Sequence, residues 1–386
     1  MSKFNLILLG AVLACCTPMD SMEPLQYRVI ICEDADYSAT GKFNPMMDDL
    51  KDYLPFFDKK LIFHAAAIEY WTKAPDGSDV LASGIVYHPI NKKSKGVIDM
   101  MPKARLHKNS GSAEGLFSEE GMCVLLGYTV IVPDLLGVSS SRHMTIPFLM
   151  VENTGRVAYD MRRAAAQYLW DKFGYKLPFE TTIMGYSLGG SAALAAQKYY
   201  ETHHANNVKV KEVNAGGGTY DLVAAFNAFA RTGYSDYAAI PLVILAFNEY
   251  YHLNLDINQI FFGDLAIHYE DWFGGSHSSR SIMGWLTTDL HTYMHPDFFK
   301  PKEEQNDEFK KLYPLLVENS VSEGWRPKAP IYLTHANVDT YVPRECADEA
   351  VKKLRKAGAN IWCAYYLGDH YSVGATYFIR NFLRLL

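Results

Sequence analysis

Short apolar runs alternate along most of this chain with longer stretches in which apolar positions recur every three or four residues, the signatures of buried strands and of helices. Residues 64–72 and 79–88 read as two strands joined at Pro75-Asp76-Gly77, and so as a hairpin. A third run, 96–101, precedes a helical pattern over 114–126, and 128–133 is a short buried strand. From Met150 to Phe173 the residues Val157, Met161, Ala164, Ala165, Tyr168 and Leu169 form one helical stripe, with Arg162 and Arg163 off it. Strand 181–186, helix 188–202 and strand 208–215 follow, the last running into Gly216. The rhythm then stops. From Thr219 to Trp325 the chain is aromatic and helix-leaning, and strand character returns only at 330–335. A helix at 343–357, a strand at 360–367 and a closing helix at 377–385 complete the pattern.

Strands alternating with helices predict an α/β fold, a mostly parallel central sheet with helices on both faces. The interruption predicts an inserted helical cap, because a long insertion at a loop costs little closure entropy and is a common way to roof a site. The expected division is 59–218 and 326–386 for the core, 219–325 for the cap, and 16–58 for a polar N-terminal leader. Lys3, an apolar run from Leu6 to Ala14, and Cys15 followed by polar residues give 1–15 the outline of a signal peptide. The run is too short to span a bilayer. Ala14 directly before Cys15 is similar to the cleavage box of bacterial lipoproteins, which implies lipidation of Cys15 and a place in the cell envelope, with plain secretion as the alternative.

Charge sharpens the class. Against 43 Asp+Glu stand 37 Lys+Arg, so no strong field draws the chain to nucleic acid or to an anionic membrane. The expected partner is a small, mostly uncharged substrate met by a monomer, with membrane contact only through the lipid anchor. Six cysteines in 386 residues are too few for a disulfide scaffold. Cys123 and Cys363 read as buried small hydrophobes. His291 and His295 stand four apart without a third ligand nearby, so no metal and no cofactor are expected.

The chemistry concentrates at Gly185-Tyr186-Ser187-Leu188-Gly189, between a strand and a helix. A sharp strand-to-helix turn leaves no room for Cβ atoms at its flanks, so Gly185 and Gly189 allow the backbone approach that lifts the Ser187 hydroxyl above the sheet. The helix opening at Leu188 aims free N–H groups and a positive dipole end at whatever Ser187 attacks. A serine hydroxyl is a weak nucleophile and needs a base, itself oriented by an acid. Asp339 follows the strand at 330–335, and His370 follows the last strand; Asp369 is a rival acid. In open α/β sheets active groups gather beyond the carboxyl ends of strands, where all three candidates fall.

On these residues, and on their order Ser187, Asp339, His370, the chain resembles the α/β-hydrolase superfamily over about residues 60–386, and within it bacterial secreted esterases and lipases with a helical cap. The segment Pro133 to Gly137, with His143 and Pro147 after it, resembles the loop after the fourth core strand of that group. The resemblance implies that Ser187 attacks an acyl carbonyl, His370 shuttles the proton and Asp339 holds the histidine's tautomer. An oxyanion hole needs two donors. Leu188 supplies the first, and the second is expected from Lys103 or Ala104. There the chain departs from the family's His-Gly dipeptide, reading Met101-Pro102-Lys103-Ala104-Arg105. The function expected is hydrolysis of carboxylic esters through an acyl-enzyme. The alternatives are a peptidase or acyl-carbohydrate esterase on the same framework, or a catalytically silent binding protein. Cap rings among Phe226, Phe229, Phe247, Tyr250, Tyr251, Phe261 and Phe262 are expected to supply part of an acyl pocket wall.

Overall fold

The computed structural model describes residues 25–44 and 57–386. Its strands form one sheet in the order β1-β2-β3-β5-β4-β6-β7-β8-β9. They are β1 (Tyr27–Asp36), β2 (Ile62–Lys73), β3 (Asp79–Pro89), β4 (Val97–Met101), β5 (Thr129–Pro133), β6 (Glu180–Tyr186), β7 (Lys209–Gly216), β8 (Ile331–Ala336) and β9 (Ile361–Tyr366). β2 and β3 form the hairpin, β3 runs antiparallel to β5, and from β5 across to β9 all neighbours are parallel.

Both faces are covered, and β2 shows how. Its alternate side chains enter two cores, as a pleated strand requires. Ala66, Ile68 and Tyr70 meet Val157, Met161, Ala165 and Leu169 of helix α1 (Val151–Phe173). Phe63, Ala65 and Ala67 share the opposite core with Leu125 and with Phe382 of the closing helix. Helix α2 (Leu188–His203) follows β6 and packs in a third cluster with β7, β8 and the helix after β8.

Arg162, off the apolar stripe of α1, is nevertheless fully buried, its Nη1 3.0 Å from Asp99 Oδ1 and its Nη2 2.7 Å from the Pro178 carbonyl. Burial holds the Asp99 carboxyl above the usual range even beside that guanidinium. Helical periodicity alone cannot reveal an arginine whose charge is matched by a carboxylate on a central strand.

His88 on β3 faces His64 across the hairpin and packs against Phe173 and Tyr175. Burial, helped by the nearby His64, lowers its pKa to about 4. Between pH 6.5 and 4 the unfolded chain therefore binds a proton that the folded chain refuses. Stability falls as pH drops through that window, by up to about 1.4 kcal/mol per pH unit, and the loss from this group stops below it. His88→Gln is expected to flatten the acid side of the curve of melting temperature against pH; a slope equal to that of the parent protein would exclude His88 as its source.

Several elements differ from the sequence pattern. Residues 27–36, assigned to the leader, are the edge strand β1, paired antiparallel with β2. A bulge between Val29 and Ile31 breaks its two-residue alternation, which hides it from a periodicity search. The 114–126 helix is replaced by tight 3₁₀ turns at Ser112–Glu114 and Glu119–Leu126. Leu116 takes a left-handed φ of 57°, and Gly121 lies so close to the Tyr87 ring that a Cβ there would come within 2.4 Å of it. The signal segment and Cys15 lie outside the described residues.

The cap contains helices α3 (Leu222–Thr232), α4 (Ala239–Tyr250), α5 (Gly263–Phe273), α6 (Ser279–Trp285) and α7 (Asp307–Glu318). Phe226, Phe229, Val243, Phe247, Phe261 and Phe309 form an apolar cluster that continues into Phe148, Leu149, Met150, Val342 and Cys346 of the core. After β8 come α8 (Arg344–Lys356) and, after β9, α9 (His370–Leu385). The closing helix thus starts two turns before the predicted 377, because Asp369 and Ser372 form a capping box that extends it.

Candidate active site

Ser187 stands between β6 and α2 with φ 60° and ψ −128°, a backbone conformation that L residues rarely adopt. Two close approaches hold it there. A Cβ on Gly185 would lie 2.1 Å from the Gly189 carbonyl oxygen, and one on Gly189 would lie 2.4 Å from that of Met101. The predicted need for glycine at both flanks is met by backbone packed directly on backbone.

From this crest a line of hydrogen bonds runs inward. Ser187 Oγ is 2.9 Å from His370 Nε2, and His370 Nδ1 is 2.8 Å from Asp339 Oδ2. Asp339 Oδ1 accepts from the backbone N–H groups of Tyr341 at 3.0 Å and Val342 at 2.8 Å. Its side chain is fully buried and that of His370 nearly so. One oxygen of Asp339 therefore shapes its own loop while the other meets the imidazole. Asp369, the rival acid, is turned to the helix instead: its Oδ1 accepts from the Ser372 N–H and from Ser372 Oγ, both at 2.8 Å.

His335, at the end of β8, is a part that pattern reading passed over. It is fully buried, and its Nε2 lies 3.0 Å from the Val342 carbonyl. Burial lowers its pKa, so the ring is neutral and its Nε2–H donates to that carbonyl, closing the 336–343 loop around Asp339. Tyr186 also proves more than a spacer. Its ring lies 5.1 Å from that of His370, and its hydroxyl donates to the His370 carbonyl.

Leu188 opens α2, where the first N–H groups have no carbonyl one turn earlier to bond. Lys103 departs from the expectation for a second oxyanion donor. It lines the cavity, but its N–H donates to Glu120 Oε1 at 3.3 Å. Glu120 is buried, and Arg105 Nη2 lies 2.9 Å from both of its oxygens. In this conformation the Lys103 N–H is engaged by a carboxylate. Asp134, in the Pro133 to Gly137 segment, braces the same region by accepting from Ser83 Oγ and from the N–H groups of Ser112 and Ala113.

Above Ser187 lies a cavity of about 570 Å³, walled by Met101, Phe148, Leu149, Leu188, Val342 and Phe378 among others. The cap contributes Tyr237, Ala239 and Ser279. None of the seven rings expected there lines it: Phe226, Phe229, Phe247 and Phe261 are buried in the apolar cluster beneath the cap, with Tyr250 and Tyr251 packed against that cluster, and Phe262 is exposed. Composition cannot separate a pocket wall from a core built of the same residue types. His291 does not pair with His295 on a helix face; it stacks on Phe299 at 3.9 Å between centroids. Among the described residues no group of three His, Cys, Asp or Glu is gathered for a metal ion.

A strand–turn–helix crest, a histidine after the last strand and a mostly parallel sheet define an α/β-hydrolase fold. Residues 122–367 match the secretory lipase family, and the chain belongs to that family and with it to the carboxylic ester hydrolases. Solved structures share the fold. A Legionella pneumophila protein of solved structure is 20% identical, with 94% of this chain and 97% of that one covered and a TM-score of 0.80. The rice cell wall degrading esterase LipA from Xanthomonas oryzae is 19% identical, with 94% and 95% covered and a TM-score of 0.74. Candida antarctica lipase A in its closed state is 15% identical, with 90% and 78% covered and a TM-score of 0.61. No protein of curated function matches the chain. No helix of the described residues is long and apolar enough to cross a membrane.

Proposed function

We propose that the chain cleaves carboxylic esters through an acyl-enzyme formed on Ser187. The observation that carries this reading is the unbroken line from Ser187 through His370 to Asp339, at 2.9 and 2.8 Å. As Ser187 Oγ bonds to the ester carbonyl carbon, its proton passes to His370 Nε2, and the carbonyl oxygen takes up negative charge beside the Leu188 N–H. Collapse breaks the bond to the alcohol oxygen, which leaves with the proton from His370. Water then repeats the sequence, giving its proton to His370 and releasing the acid and the serine hydroxyl.

Phe148, Leu149, Leu188 and Val342 in the cavity wall support an apolar acyl group as the part held over Ser187. A chromogenic ester is expected to give a burst of alcohol with one equivalent per chain, and a fluorophosphonate to modify Ser187 covalently. Ester turnover without modification at Ser187, located by peptide mass mapping, would overturn the assignment.

A further inference from the structure

The His370 ring is gripped on its faces as well as at its nitrogens. Tyr341 lies parallel to it, with centroids 5.1 Å apart and an angle of 11° between the planes. Tyr186 approaches at the same centroid distance, inclined by 46°. Tyr341 is in turn stacked on Tyr237 of the cap, at 6.0 Å and 25°. Its backbone is fixed from both sides. Its own N–H donates to Asp339 Oδ1, and the preceding residue, Thr340, is tied to the cap loop through its hydroxyl on Asp236 Oδ2 and through its carbonyl, which accepts from the Asp236 N–H at 3.1 Å.

A ring face within about 6 Å attracts a cation through its quadrupole, and a histidine that takes a serine's proton becomes one. We propose that Tyr341 is a positioning residue for His370: stacked parallel to it with an offset, it keeps the imidazole in the plane that joins Asp339 to Ser187 and favours the imidazolium formed during acyl transfer. This rests on the Ser187–His370–Asp339 reading. The groups facing His370 are Asp339 and Tyr341 from the loop after β8, His335 from β8 itself, Tyr186 and Ser187 from the crest after β6, and Tyr371 on its own element, where Asp369 is turned away to Ser372. Asp339 sets the charge balance in the ring plane. Tyr341 adds an attraction perpendicular to it that no hydrogen bond supplies. Burial and the Tyr371 hydroxyl hold the Tyr341 phenol well above its ordinary range, so its ring stays neutral wherever the enzyme works.

The test compares Tyr341→Leu with Tyr341→Phe in the full chain. Leu is expected to lower kcat about 5- to 30-fold with KM changed less than about twofold, and to move the midpoint of the acidic limb of kcat/KM to lower pH. Phe keeps the ring and is expected to stay within about threefold of the parent. Phenylalanines carrying one, two and three fluorines at 341 keep the shape while draining the ring's negative face, so kcat is expected to fall stepwise. A flat fluorine series, or Phe as impaired as Leu, would overturn the proposal. Fluorophosphonate modification of Ser187 in the parent chain separates that failure from failure of the underlying reading.

Discussion

Replacing Ser187 or His370 by Ala is expected to lower kcat for a simple ester by about 10⁵- to 10⁶-fold, with the two replacements together costing little more than either alone. The reason is that nucleophile and base act as one unit: the hydroxyl without the imidazole keeps its proton, and the imidazole without the hydroxyl has nothing to activate. Folding is expected to survive. Ser187 lies at a turn whose geometry is imposed by Gly185 and Gly189, and its hydroxyl bonds to His370. For Ser187→Ala an unchanged melting temperature with turnover collapsed is the expected pattern, whereas His370→Ala also removes a buried ring packed on Tyr341 and is expected to melt lower. Turnover of His370→Ala within tenfold of the parent would assign the proton transfer to some other group.

Asp339→Asn is expected to cost about 10⁴-fold in kcat, whereas Asp369→Asn is expected to cost less than about threefold. In the first variant the amide oxygen still accepts from the Tyr341 and Val342 N–H groups, so the loop is kept. The amide nitrogen then faces His370 Nδ1 and donates to it, which places the ring's proton on Nε2. That tautomer cannot accept the proton of Ser187. In the second variant Asn still caps α9 through the Ser372 N–H, and only an exposed charge is lost. Because both variants remove one carboxylate charge near His370, the contrast isolates geometry from net charge. Equal losses at the two positions would leave the acid unassigned.

How far the chain disclosed this arrangement depends on the range of the interactions. The crest at Ser187 was legible because its constraint is local, two glycines flanking one residue, with a strand before and a helix after. The order of Ser187, Asp339 and His370 was legible because each follows a strand, and strand ends converge in a parallel sheet. Contacts between distant segments were not. Lys103 seemed an available donor because nothing in its neighbourhood reveals that Glu120 folds back to engage its N–H. The parallel rings of Tyr237, Tyr341 and His370 bring together three segments with no common period. His335 and Arg162 are polar groups at full burial, matched by the Val342 carbonyl within its own loop and by Asp99 on a distant strand, and a hydrophobic pattern places such residues at the surface by default. The 3₁₀ turns of 112–126 escaped for a related reason: apolar positions match a helix there, but Gly121 is pressed against Tyr87, and the tighter coil is what fits.

The bonds between Asp236 and Thr340 bear on how this scaffold can be altered. They join the roof to the very turn that carries the carboxylate, so the insertion is no detachable hood. Grafting a foreign cap onto the sheet, or trimming this one at its first helix, would remove a buttress of the Asp339 loop along with the part of the cavity wall that Tyr237, Ala239 and Ser279 supply. The cap and the Asp339 loop are therefore mechanically linked, and redesign of the first would have to leave the short stretch from Ser235 to Tyr237 in place.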